Sequence, residues 1–204
     1  MQGVHVGKFE LKRSDRLDLS SLIINGNRLS LRSLNSDFAA DIFKEFNSEI
    51  TRYMMPKPAE DITDTLAFIS GAIKGMRHGT DLVLAIVSNT NAEFLGCCGF
   101  HGRGKYQTPE LGIWLKKSAH GKKYGLEAIK TLSLWAVENM NFNYATYPVD
   151  KANVPSRKIP EALGGQVYKE VQVKSMSGNN LDEVVYKIPY DAIVSIVAKQ
   201  IAAL

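Results

Sequence analysis

Apolar residues along this chain either alternate with polar ones or recur at helical spacing, and the two periods take turns in a readable order. Residues 27–34, NRLSLRSL, alternate and predict a first strand. Asp37 is placed to cap a helix whose Phe38, Ile42, Phe43 and Phe46 would face inward. The segment YMMPKP at 53–58 breaks regularity, as its two prolines must. A second helix is predicted over 61–78, with Ile62, Leu66, Ile69 and Ile73 on one side. Residues 82–88 and 94–101 read as strands joined through the turn-rich NTNA at 89–92, a hairpin.

After a loop at 102–108 and Pro109 comes a short apolar run, residues 111–115, read as a central strand. A basic turn over 116–125 follows, and then Leu126, Ile129, Leu132, Ala136, Val137 and Met140 mark a helix over 123–141. Residues 142–149 predict a further strand, and 167–174 with 183–188 a last hairpin turning at SGNN, residues 177–180. Ile193, Val194, Val197, Ile201 and Leu204 predict an amphipathic C-terminal helix over 190–204. Residues 1–24 form an N-terminal extension, either a flexible arm or a strand at 7–12 docked on the body.

Composition narrows the class. A chain of 204 residues suits one generous domain, and its charge and apolar content are ordinary for a globular protein. A net charge of +4, without a Lys/Arg block interleaved with aromatics, argues against nucleic acid as a partner. The opening MQGVHVGKFELKR lacks the apolar segment of a secretory leader, and no run approaches membrane length, so a cytoplasmic protein is expected. Cys97 and Cys98 are adjacent in a strand and point to opposite faces, which argues against a disulfide or a shared metal.

The chemistry concentrates where the central strand feeds the basic turn and the long helix. Residues 116–125 carry four lysines and one histidine, and the first N–H groups of a helix have no intrahelical partner. Together with the helix dipole they attract phosphate, and Gly121 and Gly125 would let its oxygens approach the backbone. Neither the Gly-Lys-Ser/Thr ending of a P-loop nor a Gly-x-Gly-x-x-Gly fingerprint is present.

The stretch instead resembles the acyl-CoA pyrophosphate loop of GCN5-related N-acetyltransferases (GNAT), and within them the ribosomal-protein N-terminal acetyltransferases of the RimJ/RimL type. Their pattern, Gly-Tyr-Trp-Leu, a spacer, then Arg/Gln-Gly-Lys-Gly-Tyr-Gly/Ala, is matched by Gly112-Ile113-Trp114-Leu115 and His120-Gly121-Lys122-Lys123-Tyr124-Gly125. His120, Lys123 and Leu126 depart from it. A second match is Asn-x-x-Ser followed by Leu-Gly, here Asn153, Ser156 and Leu163-Gly164, with Pro160 and Gly165 as departures. The resemblance covers roughly residues 26–188. It implies an α/β, three-layer fold with a mixed, mostly antiparallel, seven-stranded sheet splayed at its centre and helices on both faces, filling 25–189.

The resemblance further implies acetyl-CoA as co-substrate, no metal, and direct attack by an amine in a ternary complex. Acetyl transfer needs a neutral amine, donors for the developing oxyanion, and a protonated leaving thiol. Main-chain groups of Ile113, Trp114 and Leu115 would polarise the thioester and pair with pantetheine, while His120, Gly121, Lys122, Lys123, Tyr124 and Gly125 would hold its phosphates. Glu110 is the candidate base and His101 its rival, with an imidazole suited to the task. Ser156 is the candidate acid, and Asn153 would bond pantetheine. The acceptor implied is a protein N-terminal α-amine. A polyamine or aminoglycoside-type amine, or a CoA-binding regulatory module, stands as the alternative. A monomer or homodimer is expected.

Overall fold

The structure is a computed structural model that describes residues 7–12 and 18–201. In chain order its strands are β1 (Glu10–Leu11), β2 (Ile23–Asn25), β3 (Leu29–Ser33), β4 (Asp81–Ser88), β5 (Phe94–His101), β6 (Glu110–Leu115), β7 (Met140–Asn141), β8 (Tyr144–Asp150), β9 (Gln166–Lys174) and β10 (Asn180–Pro189). The α-helices are α1 (Ala39–Glu45), α2 (Ile62–His78), α3 (Tyr124–Asn139), α4 (Val154–Ala162) and α5 (Tyr190–Ile201).

Eight strands form one sheet in the order β2-β3-β4-β5-β6-β8-β10-β9. Every pairing is antiparallel except β6 with β8, which α3 connects as a parallel crossover. The sheet is thus α/β, mixed and mostly antiparallel, with one strand more than the resemblance implies. The addition is β2, an edge strand too short to show a period of its own. It is fixed by Ile24, which is buried, and by pairing with β3 across the turn at Gly26.

Helices cover both faces. Gly75 near the end of α2 packs against the Cβ of Asp81, so α2 lies on the face that carries Asp81. Gly125 of α3 packs against Ile113 and Leu115, which point to the opposite face. The α2 N-terminus shows why a sequence reading finds it: Asp61 accepts from Thr63 N–H while Asp64 reaches back to the N-cap, a reciprocal capping box. Gly79, at φ 66°, ends the helix in the left-handed conformation that glycine takes without a Cβ penalty.

The core runs through the middle strands. Leu29, Leu31, Leu82, Leu84, Ile86 and Leu111 are sealed between the helix layers. The adjacent Cys97 and Cys98 are both buried and free, and burial pushes both thiols up. The N-terminal extension docks through Phe9, which is buried and stacks on Phe100 at 5.8 Å. Its β1 pairs with β7. Lys12 Nζ then donates to Val137 O at 2.7 Å, satisfying a carbonyl near the C-terminus of α3. Residues 1–6 and 13–17 of the extension lie outside the described residues, as do Leu204 of the C-terminal helix and the side chains of Val197 and Ile201.

Candidate active site

The centre of the sheet comes apart at one place. β6 is paired with β5 along its whole length, from Glu110↔His101 to Leu115↔Gly96. With β8 it shares a single register pair, Glu110↔Thr146, beside the Thr146 N–H to Pro109 O bond of 2.8 Å. Beyond that point the strands diverge. Lys116 N–H bonds to Leu95 O, so alternate residues of β6 send their amides to β5. Ile113 and Leu115, out of phase with Lys116, turn theirs into the open gap. These are the unpaired donors that a thioester oxygen or a pantetheine amide needs.

At the wide end of the gap the chain makes its basic turn. α3 begins with Lys123 as N-cap and no side-chain cap, so its first amides are unfilled. Gly121, at φ 75°, has open space on the side a Cβ would occupy. Lys123 sits at φ 62° and ψ 13°, the left-handed conformation that the family's glycine would adopt at no cost. The backbone path is therefore that of the glycine version, with an ammonium added. Lys116 pairs with Glu93 and Lys117 with Glu49. Among the described residues, Lys122 and Lys123 make no ion pair, so their charges are uncompensated at the turn.

Three placements refine the sequence reading. Gly125 faces inward: a Cβ there would stand 3.2 Å from Ile159 Cδ1, so it serves helix packing against β6 and α4 rather than ligand approach. Trp114 points to the α2 face, against Phe46 and Phe94 at 4.9 and 5.7 Å. Its amide, in phase with that of Lys116, is directed to β5, so of the three main-chain groups expected at the thioester only those of Ile113 and Leu115 face the gap. The His120 ring bonds Leu115 O at 2.9 Å and steadies the turn. Arg28, invisible to the sequence reading, locks this end. Its guanidinium bonds Glu127 at 2.7 Å and Lys122 O at 3.2 Å while lying 4.7 Å over the Tyr124 ring.

On the far wall of the gap, Asn153 caps α4, its Oδ1 accepting from Ser156 N–H at 3.3 Å. The Ser156 hydroxyl lies 2.8 Å from the phenol oxygen of Tyr147, a buried tyrosine whose titration burial pushes up, with the Ser156 hydrogen bond as a smaller opposing effect. The pair is a closed two-hydroxyl unit facing the parallel strands. Pro160 is carried inside α4. Gly165 N–H bonds Pro160 O at 2.8 Å, and a Cβ at 165 would lie 2.7 Å from that oxygen and 2.9 Å from Ile188, so the turn that ends α4 requires glycine there.

The α2 face of the narrow end collects charge. Glu110 and His101 are cross-strand neighbours there. Arg103 bonds Glu110 at 3.1 Å, and Asp81 bonds His101 Nδ1 at 2.8 Å. Register puts Glu183 of β10 on the same face, opposite Asp150. Burial, aided by Glu110 and Asp150, raises the Glu183 carboxyl above the usual carboxylate range. Asp150 itself is spent on Ala152 and Asp182 N–H groups. Two surface hollows, one along α2 at Leu66 and Ile73, the other between Asn25 and the outer side of α3, lie away from the splay. Among the described residues no cluster offers a metal site, and no helix is long and apolar enough to cross a membrane.

A parallel pair that splays beside an uncapped helix N-terminus is the geometry of an acyl-CoA acetyltransferase, and the comparisons agree. The model of the acetyltransferase (GNAT) domain matches residues 28–166, more than half of the chain, which therefore belongs to the GNAT family of acetyl-CoA-dependent N-acetyltransferases. Curated proteins give no match in sequence. Among solved structures, RimL, the ribosomal L7/L12 alpha-N-protein acetyltransferase in complex with CoA, superposes with a TM-score of 0.73 at 15% identity, covering 84% of this chain and 99% of its own. The microcin C7 self-immunity acetyltransferase MccE, in complex with acetyl-CoA and AMP, gives 0.71 at 19% identity, covering 83% and 96%. A GNAT-family acetyltransferase from Bacillus anthracis gives 0.69 at 17%, covering 83% and 99%. At these identities the structural likeness speaks for the fold.

Proposed function

We propose that the chain transfers the acetyl group of acetyl-CoA to a primary amine, with a protein N-terminal α-amine as the preferred acceptor. The observation that carries the reading is the splay of β6 from β8 after one shared pair, with free backbone donors on one side and the two-hydroxyl Ser156–Tyr147 unit on the other. Lys122, Lys123 and the first α3 amides hold the co-substrate's phosphates, and Ile113 N–H faces the thioester oxygen. The acceptor comes from the α2 face, where Glu110 and Glu183 favour an ammonium, and surrenders a proton to Glu110 or His101.

The neutral nitrogen then attacks the thioester carbon. A C–N bond forms, the oxyanion is held by the β6 amide, and the C–S bond breaks as it collapses. The nitrogen, cationic after attack, sheds its second proton as Ser156, held by Tyr147, gives its hydroxyl proton to the sulfur and takes that proton in exchange. The products are the acetylated amine and the free thiol.

Thermal shift with CoA and acetyl-CoA, followed by thiol release on a panel of peptides, polyamines and aminoglycosides, tests the reading. The expected outcome is stabilisation by both nucleotides and release fastest with peptides. Fastest release with a polyamine or aminoglycoside would move the acceptor to small amines. Stabilisation without release on any amine would make the domain a CoA-binding module instead.

A further inference from the structure

We infer that Asp81 is a positioning residue that holds His101 as the proton acceptor of the transfer, in a trough floored by Gly99 and Gly112. The inference rests on the acetyltransferase reading above and decides between its two candidate bases.

The trough is a sequence-encoded gap. Gly99 and Gly112 are register partners on β5 and β6, so the α2 face of the sheet is bare over two adjacent strands at that level. His101 lies two residues along on the same face and lays its ring back over them. A Cβ at Gly99 would stand 2.4 Å from His101 Nε2, and one at Gly112 would stand 3.2 Å from it. Any side chain at 99 would evict the imidazole. The ring is thus held by two absences, and its Nε2 is brought over Gly112, the residue before Ile113, whose amide faces the open gap.

The other nitrogen is fixed from behind. Asp81 is the register partner of His101 on β4, and its Oδ1 lies 2.8 Å from Nδ1. A carboxylate only accepts, so Nδ1 carries a proton, and in the neutral ring Nε2 holds the lone pair. Asp81 is itself immobilised, because it follows directly on the Gly79–Thr80 end of α2 and has Gly75 packed on its Cβ. His101 is largely covered, with 17% of its side chain exposed, and among the described residues Nε2 has no hydrogen-bond partner. Such an arrangement leaves a lone pair unused by the fold at the mouth of the transfer site.

Glu110 is arranged differently. Arg103 already bonds its carboxylate, and Glu183 shares its field. That suits a group that draws an ammonium in. As residue types, imidazole is the stronger base of the two by about two pKa units. When the acceptor ammonium reaches Nε2, its proton passes to the ring and the nitrogen lone pair is freed for attack. The imidazolium is then paired with Asp81 until it returns the proton to solvent.

Two measurements test this on the full chain. In 15N-resolved NMR of the imidazoles at alkaline pH, His101 is expected as the Nδ1–H tautomer in the wild type, switching to Nε2–H in Asp81→Ala. In steady-state assays His101→Gln should lower kcat by about 10²-fold or more and Asp81→Asn by about tenfold, with the KM for acetyl-CoA and the acetyl-CoA thermal shift unchanged. That unchanged shift also certifies the fold. An Nε2–H tautomer in the wild type would overturn the positioning role, a result that needs no acceptor. Wild-type turnover in both variants, with transfer itself intact, would overturn the base assignment while leaving the acetyltransferase reading in place.

Discussion

The two ends of the β6–β8 gap are built by different rules. At the wide end the groups proposed to hold the co-substrate's phosphates come from one continuous stretch, residues 116–125, in which turn and helix start follow the strand. At the narrow end the groups proposed to meet the acceptor come from Asp81, His101, Glu110 and Glu183 on four strands, brought together only by register. On the proposed reading, recognition of a constant ligand is encoded locally, and recognition of the acceptor by the pairing of distant strands, which can be altered residue by residue without disturbing the basic turn.

The comparison is broken most severely at the hydroxyl pair, which serves the bond between the two ends. Ser156→Ala removes the proposed proton donor to the leaving sulfur, and general-acid help of this kind is worth ~10²–10⁴-fold. A fall in kcat of about 10²-fold is expected with acetyl-CoA affinity kept. The fall should shrink with an activated thioester whose leaving group needs no proton, and equal losses for both donors would remove Ser156 from the chemistry. Tyr147→Phe should show a weaker version of the same pattern.

A sharper separation of the ends comes from charge reversal in the turn. Lys122→Glu should weaken acetyl-CoA binding about tenfold at low salt, by less as salt rises, and leave the acceptor KM untouched, because the group is exposed and screened. Titration calorimetry at two ionic strengths checks it. A salt-independent change, or a change in acceptor KM, would mean the ends are not independent.

The same division explains what the sequence made legible. Alternation and short apolar runs found every strand of the sheet except β2, and helical spacing found α2 nearly to the residue. The turn around Gly121 stood out because a strand, a basic turn and a helix start follow one another along the chain. The Asp81–His101 bond was not, since twenty residues separate the partners and nothing local to either one marks the other. Gly99 and Gly112 carry no joint signal until register sets them side by side. Arg28 escaped for the same reason, and Gly125 read as a ligand-facing glycine because spacing alone does not tell which side of α3 it occupies.

At the acceptor end a milder perturbation tests stability rather than rate. Glu183 has its carboxyl raised in the folded protein, chiefly by burial, so ionising it works against the fold. Below the ordinary glutamate range both folded and unfolded forms are protonated and nothing is lost. As pH rises through the raised folded value the cost sets in and persists above it. Glu183→Gln should therefore raise Tm slightly at pH 8 and have no effect near pH 3, while weakening the acceptor KM for a cationic amine. A stabilisation that grows as pH falls would contradict the sign.

The smallest effect is expected at Lys123, and it sharpens the comparison by showing how little the turn depends on its one unusual residue. Lys123 holds φ 62°, where a non-glycine residue is strained by roughly 1–2 kcal/mol. Lys123→Gly removes that strain but also frees the unfolded chain, which costs about 0.5–1 kcal/mol. The two oppose, leaving a net change between zero and about 1.5 kcal/mol in favour of the variant. The backbone path would be unchanged, because it is already the glycine path. The ammonium would be lost, so acetyl-CoA affinity should fall only a few-fold and lose part of its salt dependence. Lys123→Glu would keep the strain and reverse the charge, and should bind clearly worse than either. Equal affinity for all three proteins would mean that the side chain faces solvent and that the α3 amides with Lys122 carry the phosphates alone.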